Sequence, residues 1–453
     1  TNDEEYRVAA VIDRVNTTFD VWQSTTMSCV QCHDHPYDPI RQKEYYQLMS
    51  FFNNTSDEDL VGDSPNLRSY GDIINKKIDR VLKIISDKAD KKTYKIYNNF
   101  FKFLEPKYAS HNSKVIDSDN GFISGETLNL RDKGSALFKN INTRGFENLY
   151  FKHWGGKLNT RLIFRKNSPK GKIIGSIDLN QEKFWVNGEL NQYFKIKISK
   201  ELEPFDLYIE AKNNDLITNN SVSYDYKDIA AQIDWITFLP KIPNSTNNEL
   251  ISLEIIINEI LNSPKNLTPI MVENEDFMKR KTYLFDRGSW INKKEEVKSG
   301  VPSVFNKWDI EWKRNRLGLS RWIISQDNPL TARTIVNRVW YQLFGKGLVS
   351  TLEDLGTQSD PPTHPALLDW LSFNFMNDMK WSVKTLVKKI LLSSTYKQSS
   401  NIEEEKLRLD PDNLYYSWGS KLRLTAESVR DQALFVSELL SEKKYGPGVM
   451  PPQ

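Results

Sequence analysis

Cys29-Val30-Gln31-Cys32-His33 holds the only two cysteines of a 453-residue chain, three positions apart and followed at once by a histidine. This is the Cys-x-x-Cys-His spacing of c-type haem attachment. Two thiols on one turn can each add to a vinyl group along one edge of a porphyrin. The adjacent imidazole then ligates the iron. Its other ring nitrogen needs a carbonyl or carboxylate acceptor to fix the ring. Three other chemistries use the same residue types. A redox dithiol sits at a helix start after a strand of a βαβ unit, and the sequence shows no such pattern here. A zinc site from Cys29, Cys32, His33 and His35 would crowd four ligands into seven residues. A disulfide across two residues has no need of the histidine. The spacing favours haem c, with Cys29 and Cys32 as anchors and His33 as the proximal iron ligand.

The sixth position on such an iron is open. His35 is too close in sequence to cross to the opposite face of the same ring. It serves better in a local bond with Asp34 or Asp38. His364 stands at a helix start in Asp360-Pro361-Pro362-Thr363-His364-Pro365. It is the distal candidate, with a capping or core role as its other reading. Six-coordinate iron would favour electron transfer, and an open face would favour small-molecule chemistry.

These residues need elements to hold them. Val8, Ile12, Val15 and Phe19 recur at helical spacing, and residues 43–52 carry a second short apolar face. The two prolines of His35-Pro36-Tyr37-Asp38-Pro39 make the intervening segment a folded loop. Ile74, Ile78, Val81, Leu82 and Ile85 mark an amphipathic helix whose lysines form a solvated face. From about 115 to 242 the pattern changes to short alternating runs, at 148–152, 161–165, 172–177, 193–198, 205–210 and 233–238. Turn residues separate them every ten or so positions, which predicts an antiparallel β-sandwich. Helical patterning resumes at 250–261. From about 267 onward the chain reads as helices with long loops. There Ile335, Val339 and Leu343 lead to a stop at Gly345. Trp322, Trp340, Trp370, Trp381 and Trp418 are expected mostly in the core.

The fold class is therefore α+β multidomain, with helical N- and C-terminal parts and an inserted antiparallel β-sandwich. The expected domains are a helical haem domain at 1–105, the sandwich at 115–242 and a helical companion at 250–453. The 62 Lys+Arg against 59 Asp+Glu give a net charge of +3, no electrostatic footprint for nucleic acid. No apolar run approaches the ~18 residues of a membrane span. Thr1 is not an initiator, and both ends read as those of a segment from a longer chain. The missing leader thus says nothing of compartment. Because c-type haem is attached outside the cytoplasm, the motif itself argues for export.

Beyond these physical readings, Arg14-Val15-Asn16-Thr17-Thr18, Cys29 to Ile40 and Tyr45-Tyr46 resemble the planctomycete-type cytochrome c-like domain of large secreted bacterial proteins. Arg287-Gly288-Ser289, Asn328 to Arg333, Val336 to Trp340, Phe344 to Val349, His364 to Leu371 and Leu424 to Asp431 resemble its usual companion domain. Gly175 to Leu179 and Ile233 to Phe238 resemble a family-6 carbohydrate-binding module, which implies a jelly-roll for the inserted sandwich. The resemblance implies a haem and a periplasmic, cell-surface or secreted location, without naming a reaction. It makes Trp154 and Trp185 candidates for stacking on sugar rings. The expected partners are a redox protein or further cytochrome domain and a polysaccharide. Two alternatives stand beside the electron carrier. One is a haem enzyme oxidising carbohydrate, with Asp34, His35, Asp38, Arg333 or Arg338 bordering the substrate. The other is a glycan-binding scaffold with a structural zinc.

Overall fold

A computed structural model of the chain describes residues 3–57, 65–156, 159–179, 192–213 and 229–441. The chain divides into two compact units, each assembled from separate stretches. One comprises Thr1–Val11 and Asn53–Lys281, the other Ile12–Phe52 and Thr282–Gln453.

In the first unit, alternation of apolar and polar residues builds two antiparallel sheets. One runs in the order Gln192–Lys197, Asn148–Gly156, Ala231–Leu239, Thr127–Leu130 and Gly121–Ser124, with Tyr108–Ala109 added onto Ala231–Leu239. The other runs Lys114–Val115, Ser135–Ile141, Phe205–Lys212, Thr160–Lys166 and Ile173–Leu179. Apart from the hairpins Gly121–Ser124/Thr127–Leu130 and Thr160–Lys166/Ile173–Leu179, consecutive strands alternate between the sheets, which makes a jelly-roll sandwich. Leu149, Phe151, Leu162, Phe164, Leu207, Ile209 and Ile233 point inward into one core. The rings of Phe151 and Phe164 meet across it at 6.0 Å. Each such side chain contributes about 2 kcal/mol by leaving water. All six runs read from the sequence coincide with these strands, with Lys172 and Ile198 one residue outside them.

The opposite face of the first sheet presents Tyr150, Tyr193, Trp235 and Leu239. Three helices, Asp72–Lys88, Lys91–Phe103 and Asn247–Asn262, cover it with Val81, Ile85, Phe100, Phe101, Ile257 and Ile260. Asp90 caps the second helix by accepting from the Thr93 N–H. Thr246 and Glu249 close a capping box on the third. These helices bury their stripes on the sandwich, so the compact units are cut differently from the bounds 1–105, 115–242 and 250–453.

The second unit is helical. From Ile12 it takes in the rest of helix Asp3–Gln23. It also contains Gln42–Phe52, Arg316–Ile323, Thr331–Phe344, Pro365–Asn377, Val383–Leu391, Glu404–Leu409 and Ala426–Val436. Val336, Trp340, Leu348, Leu368, Leu371, Phe375 and Leu386 form its core. Gly345 ends Thr331–Phe344 with φ +77, a left-handed position that favours glycine. The expectation of helices and loops after 267 needs correction here. Thr282–Asp286 and Ser289–Val297 form a β-hairpin. Its two-residue tip, Arg287-Gly288, has φ +48 and +74, matching the twist of the flanking strands. Trp322, Trp340 and Trp418 are buried, but Trp370 is exposed, with the Lys389 ammonium 4.4 Å over its ring. No described helix is long and apolar enough to cross a membrane.

Candidate functional site

Helix Asp3–Gln23 delivers the chain to the cysteine segment. The Arg338 guanidinium donates to the carbonyls of Asp20 at 2.8 Å and Val21 at 2.9 Å, neutralising the helix C-terminus. Buried Met27 and Val30 then anchor a single 3-10 turn, Ser28–Gln31, with Cys32 as its cap. Cys29 and Cys32 emerge on this turn as exposed free thiols, and His33 follows, also exposed.

Neighbouring side chains hold the turn rigidly. The Gln31 carbonyl accepts from the Tyr46 hydroxyl and from Gln42 Nε2, both at 2.9 Å. Burial, and secondarily the nearby Cys32 thiol, push the Tyr46 phenol far above its ordinary value, so it remains a donor. Asp34 Oδ1 accepts from the Gln42 N–H at 2.7 Å, a carboxylate at the start of helix Gln42–Phe52. Glu44 bonds the N–H groups of Arg41 at 2.9 Å and Ser303 at 2.8 Å.

His33 Nδ1 lies 2.6 Å from the carbonyl of Asp34. A carbonyl only accepts, so Nδ1 carries a proton, and in the neutral ring Nε2 is the nitrogen with the lone pair. This is the orienting bond that a metal-binding imidazole needs. His35 is arranged in the opposite sense. Its Nδ1 accepts from the N–H of Asp38 at 2.8 Å and of Tyr37 at 3.3 Å, which closes the loop upon itself. Asp38 Oδ1 in turn accepts from Thr357 N at 2.8 Å and Thr357 Oγ1 at 3.0 Å. Asp34, His35 and Asp38 are thus occupied as loop fasteners. Among the described residues, no three His, Cys, Asp or Glu side chains converge as metal ligands. The crowded zinc site drawn from this loop is therefore not assembled.

These are the residue types that a thioether-linked haem would use, with Cys29 and Cys32 as its anchors and His33 as its iron ligand. His364 is half-buried in the same unit. It is the cap residue of helix Pro365–Asn377, with Nδ1 3.1 Å from Thr363 Oγ1 and its ring 5.5 Å from that of Tyr416. Tyr416 also accepts from Trp340 Nε1 at 2.8 Å. Although His364 stands at the cap position, its side chain makes no capping bond to the helix. Arg333 grips Asp369 with Nε at 2.9 Å and a terminal nitrogen at 2.7 Å, so it and Arg338 serve packing in this unit.

On the sandwich, Trp154 is 36% exposed on the helix-covered sheet's outer face. Its Nε1–H donates to Asp234 Oδ2 at 3.2 Å. Lys152 pairs with the same carboxylate and places its ammonium 5.1 Å over the indole. Beside them Gln232 Nε2 donates to Asn129 Oδ1 at 2.7 Å. Trp185 lies outside the described residues.

Of the residues that fasten the turn, Tyr46 and Arg287-Gly288 stand out only in the stretches that carry the family resemblance, with no role attached, and Gln42 and Thr357 escape the reading of the sequence.

The site and fold define an α+β chain that joins a jelly-roll unit to a helical unit bearing a Cys-x-x-Cys-His turn. Its first 57 residues match PSCyt2, described as a protein of unknown function (DUF1549). Residues 315–453 match PSD1, described as a protein of unknown function (DUF1553). No curated protein matches the chain. Among solved structures it is similar to CsCBM6-3 from Clostridium stercorarium, determined with cellobiose, at 16% identity. The alignment covers 30% of this chain and 94% of that one, with a TM-score of 0.23. It is similar to a β-1,3-glucan-binding family-6 module from Bacillus halodurans at 14% identity, covering 30% and 95%, with a TM-score of 0.21. Similarities at this level assign no ligand.

Proposed function

We propose that the Cys29–Cys32–His33 turn is a covalent haem-attachment site and that the chain is an exported electron-carrying module. The single observation that carries this reading is the disposition of His33. Its Nδ1 is satisfied by the Asp34 carbonyl, its Nε2 is left for a metal, and two free thiols stand beside it on one turn. Bound there, haem would supply a one-electron couple. The chain's own part is to hold the thiols and imidazole in register through Tyr46, Gln42 and Asp38.

The test is production in a host equipped for c-type haem attachment, followed by a reduced pyridine haemochrome spectrum. The wild type should show the band. The double variant Cys29→Ser/Cys32→Ser should lose haem on denaturation, and His33→Ala should keep it with an altered native spectrum. A wild-type protein without haem would exclude the reading.

The Trp154–Lys152–Asp234 group favours a second, compatible function, contact with a polysaccharide that places the electron carrier at its site of use. An exposed indole held by a carboxylate at its edge is a stacking surface with hydrogen-bonding groups beside it. Retardation in gels containing soluble β-glucan or xylan should be seen for the wild type and lost in Trp154→Ala. Equal mobility of the two proteins would remove this function.

A further inference from the structure

The two thiols of the turn do not have equal surroundings. Among the contacts of the described residues, Cys29 Sγ has no hydrogen-bond partner, whereas Cys32 Sγ–H donates to the carbonyl of Arg287 at 3.4 Å. That carbonyl belongs to the two-residue tip of the hairpin Thr282–Asp286/Ser289–Val297. The next residue, Gly288, has φ +74, and a Cβ there would stand 3.0 Å from Cys32 Sγ. Glycine is therefore favoured twice, by its backbone and by the approach of the sulfur. Two further contacts fix the tip. Phe285 packs edge-on against Tyr46 at 5.0 Å, and its carbonyl accepts from Gln42 Nε2 at 3.4 Å. Both partners also hold the Gln31 carbonyl, so the hairpin and the turn share one set of fasteners.

We propose that the Arg287-Gly288 tip is a clamp on Cys32, which leaves Cys29 to react first and holds Cys32 in place for the second bond. A sulfur held by a carbonyl and closely approached by the hairpin tip must leave those contacts before it can reach an electrophile. In haem attachment each step adds S–H across a vinyl C=C. Sulfur bonds one carbon, the proton ends on the other, and no electrons are gained or lost overall. Once Cys29 has reacted, the ring is tethered and the clamped Cys32 meets the remaining vinyl group at high effective concentration. Only the identity of this electrophile rests on the haem reading. The inequality of the thiols stands on the contacts just described.

The test uses the full chain, haem-free and reduced, exposed briefly to iodoacetamide, with each cysteine followed by peptide mass. Cys29 should label about fivefold faster than Cys32, the ratio equivalent to a hydrogen bond of about 1 kcal/mol. Equal rates, or a faster Cys32, overturn the clamp. Gly288→Val should force the tip to withdraw and bring the ratio toward one. Gly125→Val is the control for left-handed strain alone, since Gly125 has φ +55 with nothing within 4 Å of its would-be Cβ. It should keep the wild-type ratio. A Gly288→Val ratio at or above the wild-type value overturns the clamp. In protein matured with haem, the wild type should have no alkylatable thiol and Gly288→Val one, at Cys32. If the labelling ratio holds while the wild type acquires no haem, the haem reading falls and the clamp stands.

Discussion

At the scale of single residues, the five histidines of the chain divide by what their ring nitrogens meet. His33 gives Nδ1–H to a carbonyl and presents Nε2, while His35 spends Nδ1 on two backbone N–H groups. The sequence placed both within three residues but could not say which would be available. Backbone hydrogen bonds decide that, and they leave no mark in residue type. His153 shows a third environment. It is buried in the sandwich with its ring 5.6 Å from Phe194 and no partner on Nε2, and burial pulls its pKa down from 6.5 to about 4. The folded protein keeps this imidazole neutral until about pH 4, whereas the unfolded chain takes up a proton near 6.5. Its contribution is therefore full above pH 6.5 and lost as pH falls toward 4. At pH 5 the loss should be about 2 kcal/mol. Urea unfolding at pH 7 and pH 5 should show that loss in the wild type and a smaller one in His153→Phe. Asp38→Ala removes the acceptor of two Thr357 bonds and should cost about 1–3 kcal/mol, read as a lowered Tm.

Elements were legible where periodicity met a stop signal. Helix Thr331–Phe344 followed from Ile335, Val339, Leu343 and the glycine after them. Gly345→Ala should destabilise the helical unit by more than about 1 kcal/mol. The new Cβ would have left-handed φ and would stand 2.3 Å from Leu422 Cδ2. Thermal unfolding checks this, and an unchanged Tm would contradict the cap. The strands Gly121–Ser124, Thr127–Leu130 and Ser135–Ile141 were less legible, because polar residues such as Asn129 and Ser135 are buried in them. The hairpin Thr282–Asp286/Ser289–Val297 was not legible at all. Its second strand, Ser-Trp-Ile-Asn-Lys-Lys-Glu-Glu-Val, is mostly exposed and charged, so alternation has almost no apolar face to report.

At the scale of the whole molecule, composition excluded nucleic acid as a bulk partner and announced a helical chain with a β insert. It could not show which helices the insert would claim. Helices Asp72–Lys88, Lys91–Phe103 and Asn247–Asn262 bury their stripes against Tyr150, Tyr193, Trp235 and Leu239, and amphipathicity says only that a face is buried, not on what. A fragment of residues 53–281 should therefore unfold cooperatively. Residues 115–242 alone should bind a hydrophobic dye and aggregate, because four large side chains lose their cover. The central claim concerns the turn in the other unit, and the intact mass of the denatured chain tests it most directly. Protein matured where c-type haem is attached should weigh one haem more than its sequence, and Cys29→Ser/Cys32→Ser should weigh only its sequence. A wild-type chain at its bare sequence mass would contradict haem attachment at Cys29 and Cys32.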